Sequence, residues 1–226
     1  MGDLHRLIVF DLDGTLVDSR RDLADSANQL IEERGGSRLS EDAIGRMVGE
    51  GAAVLVRRAL VAAGLPDTPA ALPRFLEIYD SRLLDNTRLY EGVEPVIRAA
   101  RIGGRVAVLT NKPVRPSRRI LDALGVGALF EDVVGGDGPL PRKPDPAGLE
   151  ELMRRAGVSP GATLMVGDSV IDHETARRAG VRCCLAAYGF GYEMFPAERL
   201  TGEEWIAKDT AALADVIGQF RPGFSG

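Results

Sequence analysis

The sequence predicts an α/β fold whose core is a Rossmann-like parallel sheet and whose insert is an α-helical cap domain. Two observations lead to this prediction. Short apolar runs of strand length alternate with helix-length segments along most of the chain, which is typical of a parallel sheet covered by helices. One long stretch near the N-terminus breaks that alternation, because it contains helical patterns and no convincing strand.

Five short runs have the length and composition of buried strands. They are Leu7–Phe10, Arg105–Leu109, Asp132–Val134, Thr163–Val166 and Arg182–Ala186. Their apolar residues are continuous rather than alternating, as expected for strands that are buried on both faces of a parallel sheet.

Helix-length segments follow the middle three of these strands. They are Pro116–Leu124, Pro146–Ala156 and Val170–Ala179. Proline in the first turn and a glycine directly after the last turn are the expected boundaries, and Gly125, Gly157 and Gly180 supply the stops. The strand–helix alternation therefore extends across most of the second half of the chain.

The interrupting stretch is too long for a single crossover between strands. Ser19-Arg20-Arg21-Asp22 resembles a capping box at a helix start, and further helices fit Ala52–Ala63 and Pro69–Asp85. We therefore predict a helical cap domain at residues 20–88 and a catalytic α/β core formed by residues 1–19 and 89–226.

Composition limits the possible partners and locations of the protein. The formal charge is −5, which gives no electrostatic basis for binding nucleic acid or an anionic membrane. No apolar run reaches the ~20 residues of a membrane span, and no secretory signal pattern is visible. We expect a cytoplasmic protein, a monomer or a homodimer, that binds neither nucleic acid nor a membrane.

The cysteines and histidines do not suggest a separate site. Cys183 and Cys184 are adjacent, so we expect them to pack in an apolar strand rather than form a disulfide. His5 and His173 are expected to be surface or capping groups rather than metal ligands.

Polar residues cluster where three predicted strands end. They are Asp11 and Asp13 after the first, Thr110, Asn111 and Lys112 after the second, and Asp168 after the fourth, with Asp172 beyond. Ligands of open parallel sheets bind outside the carboxyl ends of the strands, so these residues are predicted to converge on one site.

The residue types at these strand ends suit phosphoryl transfer. Carboxylates are the oxygen ligands that Mg²⁺ prefers, and a divalent cation relieves the repulsion between neighbouring acids. Thr110, Asn111 and Lys112 offer donors to phosphate, and Lys143 adds a positive charge. Taken alone, Asp172 fits a helix cap equally well.

At these residues the sequence resembles the haloacid dehalogenase-like hydrolase superfamily. Four signatures occur in order: Asp11-Leu12-Asp13-Gly14-Thr15-Leu16-Val17-Asp18-Ser19, Thr110-Asn111-Lys112, Lys143-Pro144-Asp145-Pro146, and Gly167-Asp168-Ser169 with Asp172. The first is highly specific, and together they extend from the first strand to the last helices.

The resemblance implies a role for each matching residue. Asp11 would be the nucleophile that forms an aspartyl-phosphate, and Asp13 would be the general acid and base. Mg²⁺ would be bound by Asp11, by the backbone carbonyl of Asp13 and by Asp168, with Asp172 as a further acid nearby. Thr110 and Lys143 would bind the phosphoryl oxygens, and Asn111 would orient the phosphate through its amide or backbone.

Within the superfamily the sequence is similar to phosphoglycolate phosphatases. Asp13 favours phosphatase chemistry over halide displacement, and Tyr188-Gly189-Phe190-Gly191-Tyr192 is typical of this group. The resemblance implies a Mg²⁺-dependent phosphatase that acts on a small phosphorylated metabolite, 2-phosphoglycolate. The alternative functions are a broader sugar-phosphate or nucleotide phosphatase and a phosphomutase.

The predicted cap leaves substrate recognition open. The segment Val48-Gly49-Glu50-Gly51-Ala52 carries Glu50 where the related turn often has Asn, and a carboxylate there would repel an acidic substrate. Glu50, Arg57 and Arg58 are candidate substrate contacts.

Two other functional classes fit the residues less well. A dinucleotide-binding module would need a glycine fingerprint between a strand and a helix, which is missing. A non-catalytic binding protein would be expected to have lost an acid of the set, yet Asp11, Asp13 and Asp168 are all present.

Overall fold

A six-stranded parallel sheet forms the centre of the structure, a computed structural model that describes residues 6–222. His5 lies outside the described residues. In spatial order the strands are β5 (Asp132–Val134), β4 (Arg105–Leu109), β1 (Leu7–Phe10), β6 (Thr163–Gly167), β7 (Arg182–Ala186) and β8 (Trp205–Ala207). The predicted α/β fold is confirmed, and β8 is a strand that the sequence reading missed.

Strand β1 occupies an interior position and is buried along its whole length. It pairs in parallel with β4 on one side and β6 on the other, so Phe10 lies level with Val108 and Val166. Because the three strands run in the same direction, the residues that follow them emerge together at one edge. This register brings Asp11 next to the ends of β4 and β6.

Helices cover both faces of the sheet. They are α5 (Val93–Ile102), α6 (Val114–Ala123), α7 (Ala147–Ala156), α8 (Val170–Arg178) and α9 (Thr210–Gln219). Ile8 and Phe10 belong to the apolar cluster on one face, and Leu7 and Val9 belong to the cluster on the other. This alternation explains why the strand is continuously apolar.

Four helices and a two-stranded ribbon lie between β1 and α5. The helices are α1 (Arg20–Glu33), α2 (Glu41–Gly45), α3 (Ala52–Ala62) and α4 (Ala71–Arg82), and the ribbon pairs β2 (Val17–Asp18) with β3 (Arg88–Leu89). We call residues 20–82 the helical segment. Its interior is apolar and includes Leu30, Leu60 and Phe75. None of the helices within residues 6–222 combines the length and the apolar character needed to cross a bilayer.

Several predicted boundaries differ from the structure. Helix α6 begins at Val114 rather than at Pro116, because Pro116 occupies the third helical position, where no intrahelical N–H is required. Ser19 precedes α1 but does not cap it through its side chain, so the predicted capping box is wrong. The hydroxyl of Ser19 instead donates to Asp13 Oδ1 at 2.5 Å. A capping box does occur at the start of α8, between Ser169 and Asp172.

Asp22 connects the two ends of the helical segment. Its buried carboxylate accepts hydrogen bonds from the backbone N–H groups of Asn86 and Thr87 and from both of their side chains, at 2.7–2.9 Å. These contacts join the first turn of α1 to the chain that returns toward β3. The Asp22 side chain therefore links the part of the chain that leaves the sheet after β1 to the part that returns toward it.

We expect Asp22→Ala to destabilise the protein by about 3 kcal/mol, because buried N–H donors would lose their acceptor. Asp25→Ala on the same helix should cost less than about 1 kcal/mol, since its ion pairs with Arg21 and Arg38 are solvent-exposed. Urea unfolding followed by circular dichroism measures both changes. Equal losses in the two variants would contradict the proposed structural role of Asp22.

Candidate active site

The polar residues at the three central strand ends meet in one place, as the sequence predicted. Asp11 follows β1, Thr110 follows β4 and Asp168 follows the last residue of β6. All three are buried and line a cavity between the sheet edge and the helical segment. The carboxyl edge of the sheet therefore forms one wall of this cavity.

Three carboxylates form the most acidic cluster at this edge. Asp11, Asp168 and Asp172 each place a carboxylate oxygen within 4.8 Å of the others, and all three are buried. Burial, reinforced by the charge of Asp172, raises the pKa of Asp11 to about 7, although Lys143 opposes the shift. Burial and the charges of Asp172 and Asp11 also raise the pKa of Asp168 well above its ordinary value.

Lys143 supplies the positive charge of this cluster. Its Nζ lies 2.6 Å from Asp172 Oδ1 and 2.9 Å from Asp11 Oδ1, and the contact with Asp172 is the one aligned as a hydrogen bond. Burial lowers the pKa of Lys143, but Asp11 and Asp172 outweigh that effect and raise it above its ordinary value. Lys143 is therefore a buried ammonium whose charge is maintained by the acids.

The acid cluster fits a divalent cation. The contact of Asp11 Oδ1 with Lys143 is not aligned as a hydrogen bond, and one ammonium faces three buried carboxylates. A hard dication would supply the missing positive charge and take Asp11 Oδ1 as a ligand. The donor set is all oxygen, which matches the preference of Mg²⁺.

The loops around Asp168 approach its carboxylate closely. The N–H of Gly191 donates to Asp168 Oδ2 at 2.7 Å. A Cβ on Gly14, where φ is +85°, would collide with the same carboxylate. Glycine is therefore required at Gly14 both for its left-handed backbone and for the space next to Asp168.

Asp172 has its oxygens engaged by protein groups. Oδ1 accepts from Lys143, and Oδ2 accepts from the hydroxyl and N–H of Ser169. The sequence suggested that Asp172 is either a helix cap or an acid beside the site. In the structure its side chain is both.

The carboxylate of Asp13 lies outside the three-acid cluster. Lys112 Nζ contacts its two oxygens at 2.8 and 2.9 Å, and Ser19 donates to Oδ1. The ammonium of Lys112 also lies 4.7 Å from the ring centre of Tyr79 on α4. Lys112, considered in the sequence only as a donor to phosphate, is therefore the partner of a predicted catalytic acid.

Asn111 connects the sheet edge to the helical segment. Its Nδ2 donates to the carbonyl oxygens of Gly49 and Lys143, both at 2.9 Å. Both amide hydrogens are thus used by the protein. That Asn111 orients the phosphate, through its amide or its backbone, stays a prediction.

The three charged residues of the helical segment that the sequence suggested as substrate contacts lie on the protein surface, away from the cavity. Glu50 pairs with Arg58 at 2.5 Å on the protein surface, and Arg57 is also exposed. None of these three residues lines the cavity. The segment instead lines it with apolar residues and one tyrosine: Leu23, Val48, Gly49, Gly51, Ala52, Leu55, Phe75, Leu76 and Tyr79. Helical spacing from Phe75 to Tyr79 predicts burial, but it does not reveal which buried residue borders a cavity.

The remaining sequence predictions concern residues away from the acids. Cys183 and Cys184 are buried and unbridged in β7, as expected. His173 is buried and its Nε2 lies 2.6 Å from Glu204 Oε1, so its prediction as a surface or capping group is wrong. The sequence separation of 31 residues hid this pairing.

Comparison with known proteins identifies relatives along nearly the whole chain. Residues 8–186 match the family model "Haloacid dehalogenase-like hydrolase". A phosphoglycolate phosphatase of Rhodospirillum rubrum is 42% identical over 97% of this chain and 94% of its own. Another from Pseudomonas putida is 41% identical over 84% of this chain and 72% of its own.

A solved structure shares the same fold. The crystal structure of a predicted phosphoglycolate phosphatase from Haemophilus somnus superimposes with a TM-score of 0.86. It is 33% identical in sequence, and the match covers 94% of this chain and 98% of that one.

We predict that the metal-free protein loses stability relative to Asp11→Asn as the pH rises from about 4 to about 7. The folded state keeps the Asp11 proton up to a pKa of about 7, whereas the unfolded chain releases it near 3.8. The contribution of that proton to the free energy of unfolding is fully present below about pH 4. It is lost progressively as the pH rises to about 7.

Urea unfolding in the presence of a chelator at pH 5 and pH 7 measures this effect. The wild type should fall by about 1–2 kcal/mol relative to Asp11→Asn over this range. Asp25→Asn, a surface change, should follow the wild type. Parallel pH curves for wild type and Asp11→Asn would contradict the raised pKa.

Proposed function

This chain belongs to the haloacid dehalogenase-like hydrolases, and we propose that it is a Mg²⁺-dependent phosphatase that hydrolyses 2-phosphoglycolate through an aspartyl-phosphate. The observation that carries the proposal is the buried Asp11 carboxylate. Its Oδ1 makes no aligned hydrogen bond, and it lies beside two further acids and one ammonium at the cavity wall.

Asp11 is suited to act as a nucleophile toward phosphorus. A carboxylate oxygen attacks the phosphoryl group, the P–O bond to the substrate breaks, and the phosphate becomes an acyl phosphate on Asp11. Lys143, 2.9 Å from Asp11, offsets the negative charge that gathers on the transferred group. Thr110 lies at the adjacent strand end and supplies a hydroxyl for a phosphoryl oxygen.

Asp13 is assigned the proton transfers. It gives a proton to the leaving oxygen, and it later accepts one from the water that attacks the aspartyl-phosphate. The structure supports the separation of roles, because Asp13 lies outside the acid cluster and is held by Lys112 and Ser19.

Mg²⁺ would be held by Asp11 and Asp168 together with the backbone carbonyl of Asp13. When bound, it supplies charge stabilisation for the phosphoryl oxygens in transit. Asp172 contributes by orienting Lys143, because its Oδ1 accepts from that ammonium at 2.6 Å.

The domain division follows from the location of the cavity. We propose that residues 20–88 act as a cap on a core of residues 1–19 and 89–226, and that the substrate is enclosed between them. Lining residues from both parts and the Asn111–Gly49 contact support this arrangement. Enclosure would exclude water and strengthen the electrostatic interactions in the site.

The choice of substrate rests on the relatives and on the size of the cavity. The two curated relatives described above are named phosphoglycolate phosphatase. The cavity volume is about 60 Å³, and one water requires about 10–15 Å³ of such space. A leaving group of a few non-hydrogen atoms fits this volume.

A panel of phosphate monoesters tests the proposed substrate. With Mg²⁺ present, phosphate release from 2-phosphoglycolate should exceed that from glucose 6-phosphate and from a nucleoside 5′-monophosphate by at least about tenfold in kcat/KM. A chelator should abolish all release. A higher kcat/KM for a sugar phosphate or a nucleotide would support broader specificity. Isomerisation of the substrate without release of free phosphate would indicate a phosphomutase.

The nucleophile has its own test. Asp11→Asn should lower kcat by at least about 10⁴-fold, since the attacking carboxylate is removed. Acid quenching of the wild type with ³²P-labelled substrate should trap a labelled protein, and Asp11→Asn should trap none. Asp25→Asn serves as the matched control and should label normally. A labelled Asp11→Asn protein would refute the assignment.

A further inference from the structure

We infer that the hydroxyl of Tyr79, together with the ammonium of Lys112, binds the carboxylate of the substrate and selects a carboxylated phosphate monoester. This inference rests on the proposed function and names the recognition residues of that site. It concerns the end of the substrate that leaves with the bridging oxygen, rather than the phosphoryl group.

The hydroxyl of Tyr79 is buried and donates to no acceptor of the protein. Tyr79 is 4% exposed and borders the cavity, and the Lys112 ammonium beside its oxygen can only donate, so the O–H hydrogen stays unpaired. Leaving a buried hydroxyl unpaired is unfavourable, so native proteins seldom retain one without a function. Burial also raises the pKa of Tyr79 to about 12, so the group remains a neutral hydroxyl that can donate.

The position of the Tyr79 ring is well defined. Phe75, one turn earlier on α4, stacks against it with ring centres 5.8 Å apart and an angle of 10° between planes. Lys112 lies against the ring at 4.7 Å from its centre. A donor held this firmly loses little freedom when it binds a ligand.

Other side-chain donors around the cavity are already engaged. Asn111 donates both amide hydrogens to carbonyl oxygens, and the hydroxyl of Ser169 donates to Asp172. Thr110 is assigned to the phosphate. Among the cavity-lining residues within 6–222, Tyr79 is the one residue of the helical segment with a polar side chain, and Lys112 is the one cation.

Lys112 retains capacity for a second anion. Its ammonium carries three donor hydrogens, and the Asp13 carboxylate offers two oxygens, at 2.8 and 2.9 Å. Two hydrogens serve Asp13, and the third faces the Tyr79 hydroxyl, from which it can turn to a substrate carboxylate. The positive charge also reduces the repulsion that a substrate carboxylate would experience from Asp13.

The test compares 2-phosphoglycolate with ethyl phosphate, in which a methyl group replaces the carboxylate. The measured quantity is the ratio of their kcat/KM values in wild type, Tyr79→Phe, Lys112→Gln and Tyr188→Phe. Because the phosphoryl chemistry is common to both substrates, the ratio isolates recognition of the carboxylate, even where a variant lowers both rates.

We expect Tyr79→Phe to lower the ratio about 10- to 100-fold by raising KM for 2-phosphoglycolate, and Lys112→Gln to lower it at least as much. In Tyr79→Phe, rates with ethyl phosphate and inhibition by inorganic phosphate should change much less than the rate with 2-phosphoglycolate. Its Tm should change little, because the hydroxyl donates to no protein acceptor. The control Tyr188→Phe removes a hydroxyl that donates to the carbonyl of Thr15 at 3.0 Å, so it should lower Tm and leave the ratio intact.

The outcomes separate the two levels of the proposal. A wild-type ratio near one would overturn 2-phosphoglycolate as the substrate, and this inference with it. A wild type that prefers 2-phosphoglycolate, combined with an unchanged ratio in Tyr79→Phe, would overturn the inference and leave the proposed substrate standing. A lowered Tm with equal loss on both substrates would show that Tyr79 is structural.

Discussion

The burial of three carboxylates around one ammonium is the constraint on which the site depends. Asp11 and Asp172 both contact Lys143, and Asp168 lies within 4.8 Å of these two acids in the same buried place. Such an arrangement is electrostatically incomplete, as the raised pKa values of Asp11 and Asp168 show. It persists because the surrounding sheet and loops are stable enough to hold the acids together, and its incompleteness suits it to the cation and phosphoryl group of the proposed reaction.

The sheet produces this arrangement through its strand order. Since β1 lies between β4 and β6, the residues after these three strands must emerge side by side, whatever their separation in sequence. The helical segment begins ten residues after the end of β1, so it reaches over the same edge. Asn111 of the core then contacts this segment at Gly49, and Asp22 joins the first turn of the segment to Thr87 on the returning chain. The strand order and these contacts together account for a cavity with an acidic floor and an apolar roof.

The sequence was sufficient for the parts of the structure that depend on local patterns. Buried strands such as Leu7–Phe10 are recognisable because both faces are covered, and the acids at their ends follow from the rule for parallel sheets. Pairings over long separations were not recognisable. Lys112 and Asp13 lie 99 residues apart, and His173 and Glu204 lie 31 apart, so no spacing rule connects them. The capping box was assigned to Ser19 because its local pattern fits, whereas the folded chain uses that hydroxyl for Asp13.

The roof of the cavity shows why charge in a sequence is a poor guide to substrate contacts. Glu50, Arg57 and Arg58 attract attention as charged residues near a glycine turn, yet a charged pair on a helical surface is more stable when it remains hydrated, as Glu50 and Arg58 do. A group that recognises a small anion must instead be buried, fixed and unsatisfied before the ligand arrives. Tyr79 meets these three conditions, and Lys112 provides charge beside it without leaving Asp13. In the proposed mechanism, specificity therefore depends on incompletely satisfied polar groups beside an apolar roof, and reactivity depends on the incompletely neutralised acids of the floor.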